Sequence, residues 1–286
     1  MGPESLISKV HIVELSQDLG QLSGAQSVDR ALALLGLVGQ HPGGATLTDL
    51  VGRSGLNKAT VRRLLLALIR AGLVEQSDDS RLYHLGEEAY ILGLRAAARH
   101  GLVKQAMEVL VHLARDTGDV AFVSVRRGFS AVCLHREEGG YPVRTYALMP
   151  GAQHPLGVGA GALAMLSALP DDEVEAVLEA NAALLAEKYP NLPPEAIRAH
   201  VAQARADGYA LNPGLIFADS WGLGMALRRP DGSLAGALSL AAVESRMRQP
   251  RRDELVAKLR TGAAAIEKRL AQPSGARPAY QERREK

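Results

Sequence analysis

The chain has 286 residues, 47% of them hydrophobic and 22% charged, which is enough apolar material for more than one core and argues for two domains. A net charge of +2 decides nothing about partners, but the lone cysteine, Cys133, excludes an intrachain disulfide and a cysteine metal cluster. No secretory leader pattern and no run of about 18 apolar residues is present, so a cytoplasmic protein with no membrane partner is expected.

Residues 1–25 carry no periodic pattern and are read as an N-terminal arm. Val28, Ala31, Leu34, Leu35 and Val38 then recur at helical spacing behind Ser27, a good N-cap, and Pro42-Gly43-Gly44 ends that helix. A short second helix runs from Thr46 to Ser54. Gly55 makes a turn, and Asn57 caps a third helix to Ala71, with Val61, Leu64, Leu65 and Leu68 inside and Gly72 as the stop. Leu73–Gln76 and Leu82–Leu85 flank a polar turn and predict a hairpin. Together these segments are read as one domain over residues 26–86.

A linker helix over 87–105 follows, with apolar Ala89, Leu92, Leu94 and Ala96. Residues 106–271 mix strands and helices. A helix closes at Gly118, hairpins pair Val120–Arg126 with Ala131–Arg136 and Leu223–Arg228 with Ser233–Ala242, and Val143–Leu148 is a further strand. Helices are predicted near Ala160–Ala168, after the acidic Asp171-Asp172-Glu173, after Pro193, and from Pro250 to Leu270. The Pro-, Arg- and Glu-rich tail 272–286 is read as disordered.

Chemistry concentrates in the first domain. Between Leu50 and Val74 the chain carries five basic residues (Arg53, Lys58, Arg62, Arg63 and Arg70) and no acid. Lys58 and Arg62 lie one turn apart on the third helix, as do Ala59 and Arg63, away from Val61, Leu65 and Leu68. Arginine reads guanine through paired hydrogen bonds and lysine mainly contacts phosphate, while Thr60 and the helix start suit a phosphate. Three short helices and a hairpin follow the plan of a winged helix-turn-helix. Its expected partner is a double-stranded DNA operator, contacted by Arg53, Asn57, Lys58, Ala59, Thr60, Arg62 and Arg63, with Arg81 and Tyr83 on the wing.

The segments Leu47-Thr48-Asp49-Leu50, Ser54 to Leu65, Gly72-Leu73-Val74-Glu75, Tyr83-His84-Leu85-Gly86, His154-Pro155-Leu156, Gly208-Tyr209-Ala210-Leu211 and Gly236 to Leu240, in that order and spacing, resemble the IclR family of bacterial transcription regulators from about Ser27 to Leu270. The resemblance implies an α+β two-domain protein: an N-terminal winged helix-turn-helix, a linker helix, and a C-terminal GAF-like α/β effector domain with a curved antiparallel sheet. It also implies a homodimer or a dimer of dimers whose DNA binding changes when a small metabolite binds.

Gly157-Val158-Gly159-Ala160-Gly161-Ala162 brings small residues to a helix start, where backbone N–H groups favour a carboxylate. By resemblance, Ala160, Gly161, Asn212, Gly222, Ser239 and Ala241 fall on the effector-contacting places, and Asn212, Gly222 and Ala241 depart from the family's commoner acid, cysteine and serine. Ser220, Trp221, Leu223 and Met225 would line the same pocket, although Trp221 equally suits a core anchor. The expected function is therefore a sequence-specific regulator, a repressor of a catabolic operon, controlled by a small organic acid and needing no cofactor or metal. Two alternatives remain at this point. One is an enzyme with a dispersed active site, without His-Glu-x-x-His or Gly-x-Ser-x-Gly to support it. The other is an architectural DNA binder with no effector.

Overall fold

The computed structural model describes residues 25–41, 43–97, 101–143 and 148–272. The N-terminal arm to residue 24 and the tail from 273 lie outside the described residues. The chain divides into two compact units, one comprising Met1–Gly101 with Gly151–His154 and the other the remainder.

In the first unit, α1 (Gln26–Gly39), α2 (Leu47–Ser54) and α3 (Lys58–Arg70) precede β1 (Val74–Gln76), β2 (Tyr83–Leu85) and α4 (Glu87–Ala97). Helix α1 starts two residues earlier than its sequence suggests: Ala25, not Ser27, occupies the cap and no side chain bonds there. Helix α2 opens on a capping box in which the Thr46 side chain accepts from Asp49 N–H and the Asp49 side chain answers to Thr46 N–H. The Thr46 hydroxyl also holds the Asp49 carboxyl below its usual range. Leu34, Leu37, Leu50, Val61, Leu65 and Val74 bury together as the core of the unit.

From Leu102 onward the chain forms α5 (Leu102–Thr117), β3 (Val120–Arg127), β4 (Ser130–Glu137), β5 (Gln153–Pro155, of which only Pro155 is assigned to the second unit), α6 (Ala160–Ser167), α7 (Asp171–Lys188), α8 (Pro194–Asp207), β6 (Ala210–Pro213), β7 (Ser220–Arg228), β8 (Leu234–Val243), α9 (Glu244–Met247) and α10 (Arg251–Leu270). Leu102–Gln105, expected in the linker, thus open α5. The strand expected over 143–148 lies mostly outside the described residues, since only Val143 and Leu148 are described and neither is in a strand. Strands β5 and β6 are additions that the sequence pattern did not predict.

The strands form one six-stranded sheet in the order β5-β4-β3-β8-β7-β6. Because strand side chains alternate between faces, the sheet separates two cores. Leu223, Met225, Leu227, Leu238 and Leu240 pack with Val109 and Leu110 of α5 and Leu259 and Ile266 of α10. Ala131 and Ala237, on the other face, pack with α6, behind which α7 and α8 add Val177, Leu178, Ile197 and Val201.

Asp119, 1% exposed at its side chain, ties α9 and α10 to the α5–β3 turn: it accepts from Arg246 Nε and Arg251 Nη2, each at 2.7 Å. Both arginines also donate to the Thr117 carbonyl, and Arg246 lies 3.9 Å over the Tyr141 ring. Removing the carboxylate would leave two crowded, partly buried cations. Asp119→Ala should therefore cost about 3 kcal/mol of stability, read as a lowered midpoint in urea unfolding.

Candidate functional site

Gly55 closes α2 in the left-handed conformation (φ 65°), Ser54 Oγ accepts from Leu56 N–H, and the Asn57 side chain accepts from Thr60 N–H at 2.9 Å. This three-residue turn fixes where α3 begins. Val61, Leu64, Leu65 and Leu68 are buried under α3, so Lys58, Ala59, Arg62 and Arg63 project from its exposed side with no acid beside them. Arg53 and Thr60 are half-buried next to that surface.

The wing departs from expectation at Tyr83. Its backbone exchanges two hydrogen bonds with Ala45, Tyr83 N–H to Ala45 O and Ala45 N–H to Tyr83 O, both at 2.9 Å, so Ala45 acts as a third short strand. That pairing turns the ring into the core, 6% exposed, and Tyr83 cannot offer its side chain to DNA. Arg81 remains exposed, with φ at 59°.

The second site lies on the α6 face of the sheet. Gly224 pairs with Ser239, which pairs with Phe122, which pairs with Arg136, so four residues from four strands form one cross-sheet row on that face. Helix α6 begins over the Gly224 end of the row. A Cβ on Gly224 would overlap the Ala160 carbonyl and stand 2.9 Å from Gly161 N, and one on Gly222 would meet Ala160 Cβ at 3.1 Å. A Cβ on Gly161 would lie 3.1 Å from Ser239 Oγ. No side chain caps the first turn of α6, where Gly159 (φ 86°) leads into the helix.

Ala160, Gly161, Asn212, Gly222, Ser239 and Ala241 are thus gathered on one face, with Ser220 on the same side by alternation. Asn212 is buried, and its Oδ1 accepts from Leu215 N–H. Ser239 is buried, and its hydroxyl makes no hydrogen bond among the described residues. Leu223 and Met225 are not part of this gathering. They point through the opposite face into the α5–α10 core, as does Trp221, which packs under Arg252. Consecutive strand residues do not share a face, so a pocket built on Gly222 would exclude Leu223.

Phe122, Val120 and Cys133, with Leu148 and Ala241 against them, supply the apolar wall that sequence reasoning missed. Burial pushes the Cys133 thiol up to about 12, against a smaller opposing effect of the Arg136 charge, so it stays a neutral, unreactive hydrophobe. Burial also pushes the His154 imidazole down to about 4 although the residue as a whole is only half-buried, which leaves it neutral near pH 7.

A basic helix on a winged helix-turn-helix, joined in one chain to a domain of one sheet flanked by helices, defines a DNA-binding transcription regulator. Comparisons with known proteins give the family. Residues 27–78 match the IclR helix-turn-helix domain, and residues 94–268 match the C-terminal domain of bacterial IclR transcriptional regulators. The chain belongs to the IclR family. It is 26% identical to the HTH-type transcriptional regulator KipR of Bacillus subtilis over 86% of this chain and 97% of that protein. It is 30% identical to the regulator BhcR of Paracoccus denitrificans over 66% of this chain and 67% of that one. Among solved structures, an IclR transcriptional regulator from Silicibacter sp. TM1040 superposes with a TM-score of 0.75 at 29% identity, covering 87% of this chain and 98% of its own. An IclR homologue from Microbacterium hydrocarbonoxydans, solved with 4-hydroxybenzoate, shares the fold with a TM-score of 0.66 at 22% identity, over 85% of this chain and 97% of its own. The family and these relatives are regulators, not enzymes. Among the described residues no helix is long and apolar enough to cross a membrane.

Arg62→Ala and Arg63→Ala should each weaken operator binding by about 1–3 kcal/mol if the lost contact is to a base, whereas Tyr83→Phe should leave it unchanged. Gel shifts at matched salt check all three. Full affinity in both arginine variants would remove α3 from the interface.

Proposed function

We propose that this regulator is a repressor of a catabolic operon, released or retuned by a small organic acid that binds on the α6 face of the sheet. The observation that carries the reading is the Ser239 hydroxyl, on a buried residue and without a hydrogen bond among the described residues, facing an uncapped helix start across the side-chain-free Gly161. That hydroxyl still meets solvent space, so a ligand oxygen can reach it together with the first N–H groups of α6. The apolar part of the ligand would lie on Phe122 and Ala241, in place of Leu223 and Met225. A 4-hydroxybenzoate complex of a relative with the same fold favours an aromatic acid. The DNA contacts proposed are Arg53, Lys58, Ala59, Thr60, Arg62, Arg63 and Arg81, with Asn57 fixing the start of the helix that carries them.

A dimer reading a near-palindromic site accompanies this function. Helix α4 buries none of its residues within its own chain, and Tyr90, Leu92 and Leu94 on it, with Val28 and Leu32 on α1, are exposed by 48–67%. Apolar side chains left bare in this number suit a partner subunit. Light scattering should find a dimer or a multiple of it. Monomers at micromolar concentration would contradict the proposal.

Gly161→Leu fills the space in front of Ser239. It should abolish the ligand's effect on operator binding while the ligand-free variant still binds operator with wild-type affinity, measured by gel shift across a panel of small carboxylates. A normal response from a folded variant would move the ligand elsewhere.

A further inference from the structure

We infer that Arg136 is the receptor for the ligand's carboxylate, and that the ligand is an aromatic acid lying along the Ser239–Phe122–Arg136 row with a second polar group at the Ser239 end. The inference rests on the ligand reading above and adds the polarity of the site to it.

Arg136 occupies an unexpected position for a cation. Its side chain is only 5% exposed, and its partner in strand register is Phe122, so both stand on the α6 face. A bulge makes this possible. Val123 pairs with His135 but Ser124 pairs with Cys133, which leaves Leu134 as the extra residue and brings Cys133 and Arg136 onto the same side. Arg136 thus shares its face with the apolar cluster of Phe122 and Cys133. Burial of a cation in such surroundings is expensive unless a carboxylate accompanies it.

One such carboxylate is Glu138, 3.0 Å from Nη1 and 34% exposed, and the Met149 sulfur lies 3.4 Å from the same nitrogen. Glu138 sits just beyond the end of β4, in a partly hydrated position. A ligand carboxylate can take its place by exchange, leaving the charge balance of the site unchanged while Glu138 moves into water. The planar fork of a guanidinium is suited to receive it through two parallel hydrogen bonds.

Across the row, Ser239 stands two strands from Arg136, about 10 Å at the backbone, and the intervening strand offers Phe122. A polar group at each end and a ring between them match an aromatic acid substituted away from its carboxylate. An aliphatic acid of two or three carbons would leave one end of the row unengaged.

The test uses calorimetry on the full-length protein with 4-hydroxybenzoate, benzoate and 3-phenylpropionate, each compared with its neutral primary amide. The wild type should bind 4-hydroxybenzoate at least tenfold more tightly than 4-hydroxybenzamide. Arg136→Met, which keeps the volume, should erase that difference by weakening the acid alone. Glu138→Gln, which removes the competing carboxylate and leaves the arginine, should tighten the acid several-fold, an effect that a misfolded protein cannot produce. Loss of acid binding in Gly161→Leu but not in Arg136→Met would keep the pocket and overturn the role of Arg136. Acid binding that survives Gly161→Leu would overturn the pocket itself and this inference with it. Binding of none of the three acids by the wild type would also overturn it.

Discussion

At Gly224 the backbone of strand β7 and the first turn of α6 come so close that a side chain has no room, since even a methyl group would overlap the Ala160 carbonyl. The approach sets the height of α6 above the sheet, and neighbouring positions inherit it. Gly222 lets Ala160 settle beside the strand, and Gly161 lets Ser239 stand under the helix start. Asn212, opposite Gly222 in register, then borders the same space. A helix held a few ångströms higher by ordinary side chains would present its first N–H groups to water and not to a ligand between helix and sheet. Four small residues on two elements therefore decide whether the face can hold a ligand at all.

The first unit was legible because its signals are local. The Thr46–Asp49 box and the Asn57 cap are read directly from residue type and spacing, and the basic side of α3 follows from the burial of Val61, Leu64, Leu65 and Leu68 at helical period. Tyr83 failed for the opposite reason. Its fate depends on pairing with Ala45, a single-residue bridge some 38 positions earlier that has no strand pattern of its own. Ser27 failed because a suitable residue type near a helix start does not compel the helix to start there.

The ligand face was half legible. Residues carried over from family resemblance gathered together, but Leu223 and Met225, chosen for proximity in sequence to Gly222, fell on the far side. Strict alternation along β7 would have excluded them. Alternation alone would equally have misplaced Arg136. Counting by twos from Cys133 puts Arg136 on the opposite face, and only the bulge at Leu134 reverses the parity. A bulge is a property of two strands in register, invisible in either strand alone, so the placement of Arg136 on the candidate ligand face could not be found before the fold was known.

The size of the regulatory effect is bounded by the same chemistry. A ligand shifts operator affinity by no more than its own preference for one conformation of the regulator over another. A tenfold change corresponds to about 1.4 kcal/mol, and a hydrogen bond to a charged group contributes about 1.5–3 kcal/mol. One charged contact, made well in one conformation and poorly in another, is therefore enough. The face over α6 offers few fixed polar groups that could supply it: Asn212 and Ser239 are neutral, and Gly222 and Ala241 carry no polar side-chain atom. A ligand that bound only by apolar burial against Phe122 would gain about the same in any conformation that kept the wall intact. Discrimination between conformations must then come from the directional contacts at the two ends of the row. Those ends sit on different elements, the α6 start with β8 on one side and the end of β4 on the other, so a ligand spanning both responds to any change in their separation.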